Sequence, residues 1–321
     1  MFFAFIRKLF LTAITLLILA FISYHILLRD PLNNFGEDNI YAYFDYLQAL
    51  LQGDWGISHS TGEPLVKQVL TVLPATISLC LSATVLSLIL GIPLGFLSAV
   101  KQQQQHLIGK FLSVLGSLNL AIPVFWLAIL LLAYSSLQQW QISAVGEIHP
   151  IYAVTNITGV TFIDILLADS PYKLKMMQNA LQHLALPALI LAIPATLSMI
   201  RITEQRALYV LNQNYVKVAR TRGWSPLKIW RVHIIRNTLP ALIPMIARNI
   251  TLVFAFGMLV ENILSWDGIG RWLIHALEVQ DYHAISVGVI TIGLFVLLID
   301  LLSSLITTLL DPSQKKEWYG K

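Results

Sequence analysis

Two ionisable side chains, Arg248 and Asp300, sit inside stretches that are otherwise apolar enough to cross a bilayer. A charge held in hydrocarbon costs a few kcal/mol even on lenient insertion scales, so such residues are functional candidates by default. Arg248 lies about two turns inside its stretch and suits a peptide carboxylate, a gating ion pair or a structural bond to a neighbouring helix. Asp300, near the middle of its own stretch, suits a cationic substrate, a pairing with Arg248, or a protonated and hydrogen-bonded state. Asn119 adds a neutral polar group able to bond across helices or to line a path.

Other chemistries are thinly represented. His149, His183, His233, His275 and His283 form no closely spaced ligand pair, and neither H-E-x-x-H nor G-x-S-x-G occurs, so neither a metal site nor a hydrolase is expected. Cys80 is the single cysteine, which excludes an intramolecular disulfide and a thiolate metal centre. There is no G-x-x-x-x-G-K-[ST] loop to cradle nucleotide phosphates. If the chain works with ATP, another subunit must bind it; the chain itself reads as non-catalytic.

The elements that carry these residues follow from composition. Of 321 residues, 56% are hydrophobic and 12% charged, against roughly a quarter charged in a soluble domain. The reading is an all-α integral membrane protein. A helix needs about 20 apolar residues to cross the hydrocarbon. Six runs qualify: Leu9–Leu28, Leu73–Val100, Phe111–Leu137, His183–Ile200, Pro240–Ile263 and Ala284–Leu310. The first follows Arg7 and Lys8, exceeds a signal-peptide core and precedes no A-x-A-like site, so it reads as an uncleaved anchor. Residues 1–72 then hold the anchor and an outer loop, 73–310 a five-helix core, and 311–321 a tail.

Cation placement sets the orientation. With Met1 inside, inner segments hold Arg7, Lys8, Lys101, Lys110, the basic loop described below, Lys315, Lys316 and Lys321, while outer loops hold only Arg29, Lys67, Lys173, Lys175 and Arg271. The positive-inside bias therefore puts both termini in the cytoplasm. A seventh apolar stretch, Ile151–Leu167, would flip the basic loop outward and is better placed as an external or surface segment. The outer loop from Arg29 to Val72 reads as an acidic, aromatic cap, with Tyr41, Tyr43, Phe44, Tyr46 and Trp55. Glu261 falls at the end of the fifth run, at the outer interface. The net charge of +4 is accounted for by topology and gives no case for nucleic acid.

Helix breakers mark where the bundle must support its own backbone. Gly91-Ile92-Pro93-Leu94-Gly95 closes the second run and demands neighbours. Ser113, Gly116 and Ser117 permit a close helix approach. Pro187 and Pro194, about two turns apart, allow two bends on similar faces.

The densest signal is the loop 201–239. Arg201, Arg206, Lys217, Arg220, Arg222, Lys228, Arg231 and Arg236 face one acid, Glu204. Gly223 separates Tyr215–Arg222 from a segment opening Ser225-Pro226, an N-cap residue followed by proline at the first helical position. Leu227, Trp230 and Ile234 recur at helical spacing, giving an apolar stripe for a protein partner.

Lys217-Val218-Ala219 followed by Gly223 resembles the EAA loop of ABC-transporter permeases, with Lys217 and Val218 replacing its first two residues. The distance from Gly223 to Leu239-Pro240 resembles the dipeptide and oligopeptide branch. So do Gly53-Asp54-Trp55-Gly56-Ile57-Ser58, Ile122-Pro123-Val124-Phe125-Trp126-Leu127 and Trp266-Asp267-Gly268-Ile269-Gly270-Arg271. Asn214-Tyr215-Val216-Lys217, Gly270-Arg271-Trp272-Leu273-Ile274, Gln280-Asp281-Tyr282 and Lys316-Glu317-Trp318-Tyr319 are similar to peptide permeases within it.

The resemblance implies a type I importer permease fold in a bacterial inner membrane. It implies a heterodimer with a second permease, two cytoplasmic ATPases using ATP and Mg, a periplasmic solute-binding protein, and peptide substrates, cationic antimicrobial ones included. Tyr215, Lys217, Val218, Ala219, Gly223, Leu227, Trp230 and Ile234 would then form the ATPase-coupling loop, and Asn119, Arg248 and Asp300 would face the translocation path. The rival readings are an ion-coupled carrier resting on Arg248 and Asp300, a polyamine exporter of the same family, and a membrane-embedded enzyme, for which no signature exists.

Overall fold

The computed structural model describes residues 2–30, 40–118, 122–138, 146–152 and 154–310. Among these the secondary structure is helical apart from one isolated bridge, Ile57 to Pro64. The helices are α1 (Phe2–Leu27), α2 (Ile40–Leu51), α3 (Leu65–Gln103), α4 (Leu107–Ser117), α5 (Val124–Leu137), α6 (Thr161–Leu167), α7 (Lys173–Leu211), α8 (Asn214–Thr221), α9 (Pro226–Ile229), α10 (Arg236–Ile263), α11 (Ile269–Glu278) and α12 (Tyr282–Leu310). A π-helical turn, Trp230–Ile235, joins α9 to α10. Five helical bodies are long and apolar enough to cross a membrane: Ile6–Leu27, Leu65–Gln103, Lys173–Leu211, Pro226–Ile263 and Tyr282–Leu309.

The third apolar run is not one continuous helix. It is divided into α4 and α5, both shorter apolar helices. Pro123 accounts for the start of α5 just after it: it lacks an N–H, and it pushes the residue before it out of the α region. Asn119 lies in the interval 119–121, outside the described residues, as do Glu37, Asp38 and the tail 311–321.

The breakers closing the second run do not end it. Helix α3 continues unbroken to Gln103, and its glycines act as contact points. A Cβ on Gly91 would meet Met199 and the Thr196 carbonyl, and one on Gly95 would meet Thr203 and the Ile200 carbonyl. The two helices therefore touch through backbone, the use of small residues expected where lipid supplies no hydrophobic drive. Gly116 of α4 likewise sits against the backbone of Arg201. Ser117 instead bonds the Ser113 carbonyl at 2.9 Å on an exposed face.

Two compact units divide the chain: Met1–Leu79 with Leu132–Pro187 and Gly257–Leu298, and Cys80–Leu131 with Ala188–Phe256 and Ile299–Lys321. In the first, Tyr24, Leu27, Tyr46 and Ile290 form an apolar cluster. Beside it Ser23, Tyr46 and Ser286 exchange hydrogen bonds of 2.6 to 3.1 Å. The aromatic cap thus splits in role, with Tyr46 buried and Tyr41 and Phe44 exposed. In the stretch 151–167 only Thr161–Leu167 is regular helix, too short to span. Its loop closes around Asp164, which accepts from the Thr158 N–H and hydroxyl at 2.7 Å each and from the Gly159 N–H at 3.2 Å.

Candidate functional site

The basic loop folds as a helical elbow whose every joint has a local cause. Helix α8 ends in a Schellman motif: the Trp224 N–H reaches the Ala219 carbonyl at 3.1 Å and the Gly223 N–H reaches the Arg220 carbonyl at 3.0 Å. This demands a left-handed residue at 223, and Gly223 has φ +73°. Nothing lies within 4 Å of where a Cβ would stand there, so backbone conformation, not space, selects glycine. Ser225 then caps the next helix through its side chain, accepting from the Lys228 N–H at 3.4 Å, with Pro226 at the first helical position.

The elbow is bound to its own chain by an apolar core. Val216 and Ala219 of α8, with Ile229 and Ile234, are buried against Ala99, Ala207, Val210 and Leu211, and Phe96, Trp224 and Trp230 pack around them. Trp224 stacks on His233 with centroids 5.3 Å apart, and Trp230 meets Phe96 edge to face at 5.3 Å. Burying these side chains contributes on the order of 10 kcal/mol before chain entropy is subtracted.

The stripe expected to face a partner is therefore divided. Ile234 is 1% exposed and belongs to this core, Trp230 is partly buried against it, and Leu227 is 80% exposed. The cause is the π turn, which changes the helical register between Leu227 and Ile234. Ala219 faces inward as well. The outward apolar residues include Tyr215, Val218 and Leu227, with Val232 and Ile235 of the π turn exposed as well. Around them Lys217, Arg220, Arg222, Lys228, Arg231 and Arg236 are all exposed. The Lys228 ammonium lies 4.2 Å from the Trp224 ring centroid, and Arg220 donates to Gln103 at 3.1 Å. Such a face fits an apolar groove with an acidic rim.

Of the residues expected to face a path, Arg248 and Asp300 are both exposed on the chain. Next to Arg248, Asn249 is buried and donates to the Ala195 carbonyl at 3.3 Å. A small cleft there is lined by Pro194, Ser198, Asn249, Val253 and Phe256.

Several polar residues of the first unit were missed by sequence reasoning. Glu261, placed at an exposed interface by its position, is fully buried. Its carboxylate accepts the Gly270 N–H at 2.8 Å, in the first turn of α11, where an anion is favoured. The neighbouring Trp-Asp-Gly-Ile-Gly-Arg segment is anchored through Trp266, donating to the Ala75 carbonyl at 3.2 Å, and through the Ile269 N–H to Thr76 at 2.8 Å. Gly268 and Gly270 admit Glu261 and Met258 where any Cβ would collide. Asp281 accepts from Ser58 at 2.6 Å and from the Ser60 N–H and hydroxyl at 3.2 and 3.1 Å. Although burial raises its pKa, these bonds and one from the Ala284 N–H outweigh it and hold the carboxyl below the usual range. Glu147 bonds the Thr161 hydroxyl. Burial, with help from Asp267 and Asp164, raises its pKa to about 7 against the lowering effect of that bond. The only sequence hint of these roles was the cluster of glycines and small hydroxyl residues around each acid.

Residues 91–316 match the family model described as binding-protein-dependent transport system inner membrane component. The chain is 48% identical over 318 residues, 98% of each chain, to the peptide transport system permease protein SapB of Haemophilus influenzae. It is 36% identical to the protein of that description in Salmonella typhimurium, over 98% of each chain. It is 34% identical, again over 98% of each, to the putrescine export system permease protein SapB of Escherichia coli K12.

Proposed function

The chain belongs to the family of binding-protein-dependent transport system inner membrane components, and from that premise we propose that it is the permease subunit of an ATP-driven peptide transporter, docked to an ATPase through its elbow. The observation that carries this reading is the elbow's division of labour. Val216, Ala219, Ile229 and Ile234 fix it to the membrane helices, while Tyr215, Val218 and Leu227 point outward among cations. A rigid lever with a sticky outer face is what transmits a partner's closure to the spans.

On this reading both termini lie in the cytoplasm, in agreement with the cation count. Two ATPase subunits bind ATP and Mg, a second permease completes the path, and a solute-binding protein delivers substrate on the opposite side. Peptide is the substrate class supported by the names of the Haemophilus and Salmonella relatives. Putrescine export is a second reading, supported by the name of the Escherichia relative.

The test is co-purification of the untruncated chain from its native membrane, beside a variant carrying Val218→Asp and Leu227→Asp. Loss of a P-loop ATPase from the variant alone is expected. An equal yield of ATPase from both sinks the docking assignment. Vesicles made with the intact complex and offered labelled peptide or labelled putrescine separate the two substrates, with ATP-dependent movement of putrescine alone refuting the peptide reading.

A further inference from the structure

Three side chains far apart in sequence converge within the first unit: Asp30, His59 and His283. Asp30 follows α1, its N–H bonded to the Leu27 carbonyl at 3.1 Å. His59 lies in the loop before α3, and His283 is in the first turn of α12. One oxygen of Asp30 stands 3.2 Å from Nε2 of His59 and 3.2 Å from Nδ1 of His283. All three ligand atoms lie within 4.8 Å of one another.

The placement is imposed by the surroundings. Ser58 and Ser60, flanking His59, are both tied to Asp281, two residues before His283. Asp281 also caps α12 through the Ala284 N–H at 3.1 Å. The His283 ring packs 3.5 Å from where a Cβ would stand on Gly56, whose φ is +80°. Loop and helix are thereby clasped with the two imidazoles meeting edge to face, their centroids 4.4 Å apart at 70°.

Nδ1 of His283 is buried and faces the Asp30 carboxylate at 3.2 Å. The spacing of the three groups is also that of a ligand sphere. With metal–nitrogen and metal–oxygen bonds of about 2.0 to 2.2 Å, the ligand atoms of a tetrahedral site sit about 3.4 Å apart. The two 3.2 Å edges match that spacing.

We propose that Asp30, His59 and His283 bind a divalent transition-metal ion of the zinc class, which staples the end of α1 and the loop before α3 to the start of α12. Two imidazoles and one carboxylate select such an ion over magnesium or calcium, which take oxygen ligands. The ion offsets the charge of a carboxylate whose side chain is only 6% exposed. His59, 42% exposed, leaves the site open to solution, so a water or an incoming donor completes the fourth position. Sequence spacing alone argues against any metal; the ligands become neighbours only through the fold.

The test uses the full-length chain in detergent, purified without a polyhistidine tag and titrated with zinc ion. We expect one zinc per chain and a thermal midpoint raised by zinc. His59→Gln and His283→Gln should each weaken binding at least about tenfold, the loss that even an outer-sphere partner causes. Zinc uptake by the wild type that is matched by a variant carrying both substitutions overturns the proposal, as does no uptake by the wild type. X-ray absorption at the zinc edge of the wild type gives a reading independent of any variant. A shell with two imidazoles supports the site, and a shell without histidine overturns it.

Discussion

The elbow of the second unit and the clasps of the first hold chain segments together with opposite materials. The elbow is closed by Val216, Ala219, Ile229 and Ile234, with its cations from Lys217 to Arg236 exposed. The clasps are closed by acids turned inward: Glu261 on the N-terminus of α11, Asp281 on Ser58 and Ser60, Asp164 on its own loop, and Glu147 on Thr161. An apolar hinge slides little because its packing is specific. A buried acid fixes geometry through directional bonds and responds to protons. The molecule thus keeps its mechanical joint apolar and its loop anchors polar.

Breaking the apolar side of this contrast should have the largest effect. Ile234→Ala removes a fully buried side chain from the elbow core and should cost about 2 to 5 kcal/mol, read as a lower midpoint of thermal unfolding in detergent. A loss under about 1 kcal/mol would mean that the elbow is held by something other than its core.

Glu147 sharpens the other side. Its pKa is raised from 4.5 to about 7, so the folded state holds a proton that the unfolded state has released between those values. Stability contributed by the protonated form is complete below about pH 4.5 and is lost as pH rises through 7, by at most about 3 kcal/mol. Glu147→Gln should flatten the fall in thermal midpoint between pH 5 and pH 8. An unchanged slope in the variant would assign the pH response to another group.

The contrast also decides what was legible in the sequence. The elbow was readable because its determinants are local: Gly223 at the Schellman position, Ser225-Pro226 at the cap, cations on one loop. The spans were readable because length and apolarity suffice. What failed was the facing of Leu227, Trp230 and Ile234, since a π turn changes the register that a regular helical period assumes. The third run also failed as one helix, at Pro123. Glu261 and the Asp30, His59 and His283 cluster were out of reach for a different reason. Their partners are brought in by tertiary packing, and one sequence carries no record of which distant residues meet.

Gly223→Asp tests the hinge between the elbow's two helices. A side chain there meets no neighbour, so the cost is that of a left-handed non-glycine residue, about 1 to 2 kcal/mol. Membrane insertion should be normal, while ATP hydrolysis and transport should come uncoupled because the angle between α8 and α9 changes. Wild-type transport by the variant would show that the angle is immaterial.

The smallest effect on stability is expected at Asp300. Its carboxylate is exposed on the chain although it lies in the middle of an apolar helix, and exposed polar pairings contribute about 0 to 1 kcal/mol. Asp300→Asn should therefore shift the thermal midpoint little. A carboxylate left facing lipid would cost a few kcal/mol, and the variant tests whether water on a path or a second subunit covers this one. Transport assays and permease pull-down separate these. Lost transport with the assembly intact puts the carboxylate on the path, whereas equal loss of the assembled complex makes it part of the subunit interface. Unchanged transport and assembly together would leave the acid without either role and would return attention to Arg248 and Asn119.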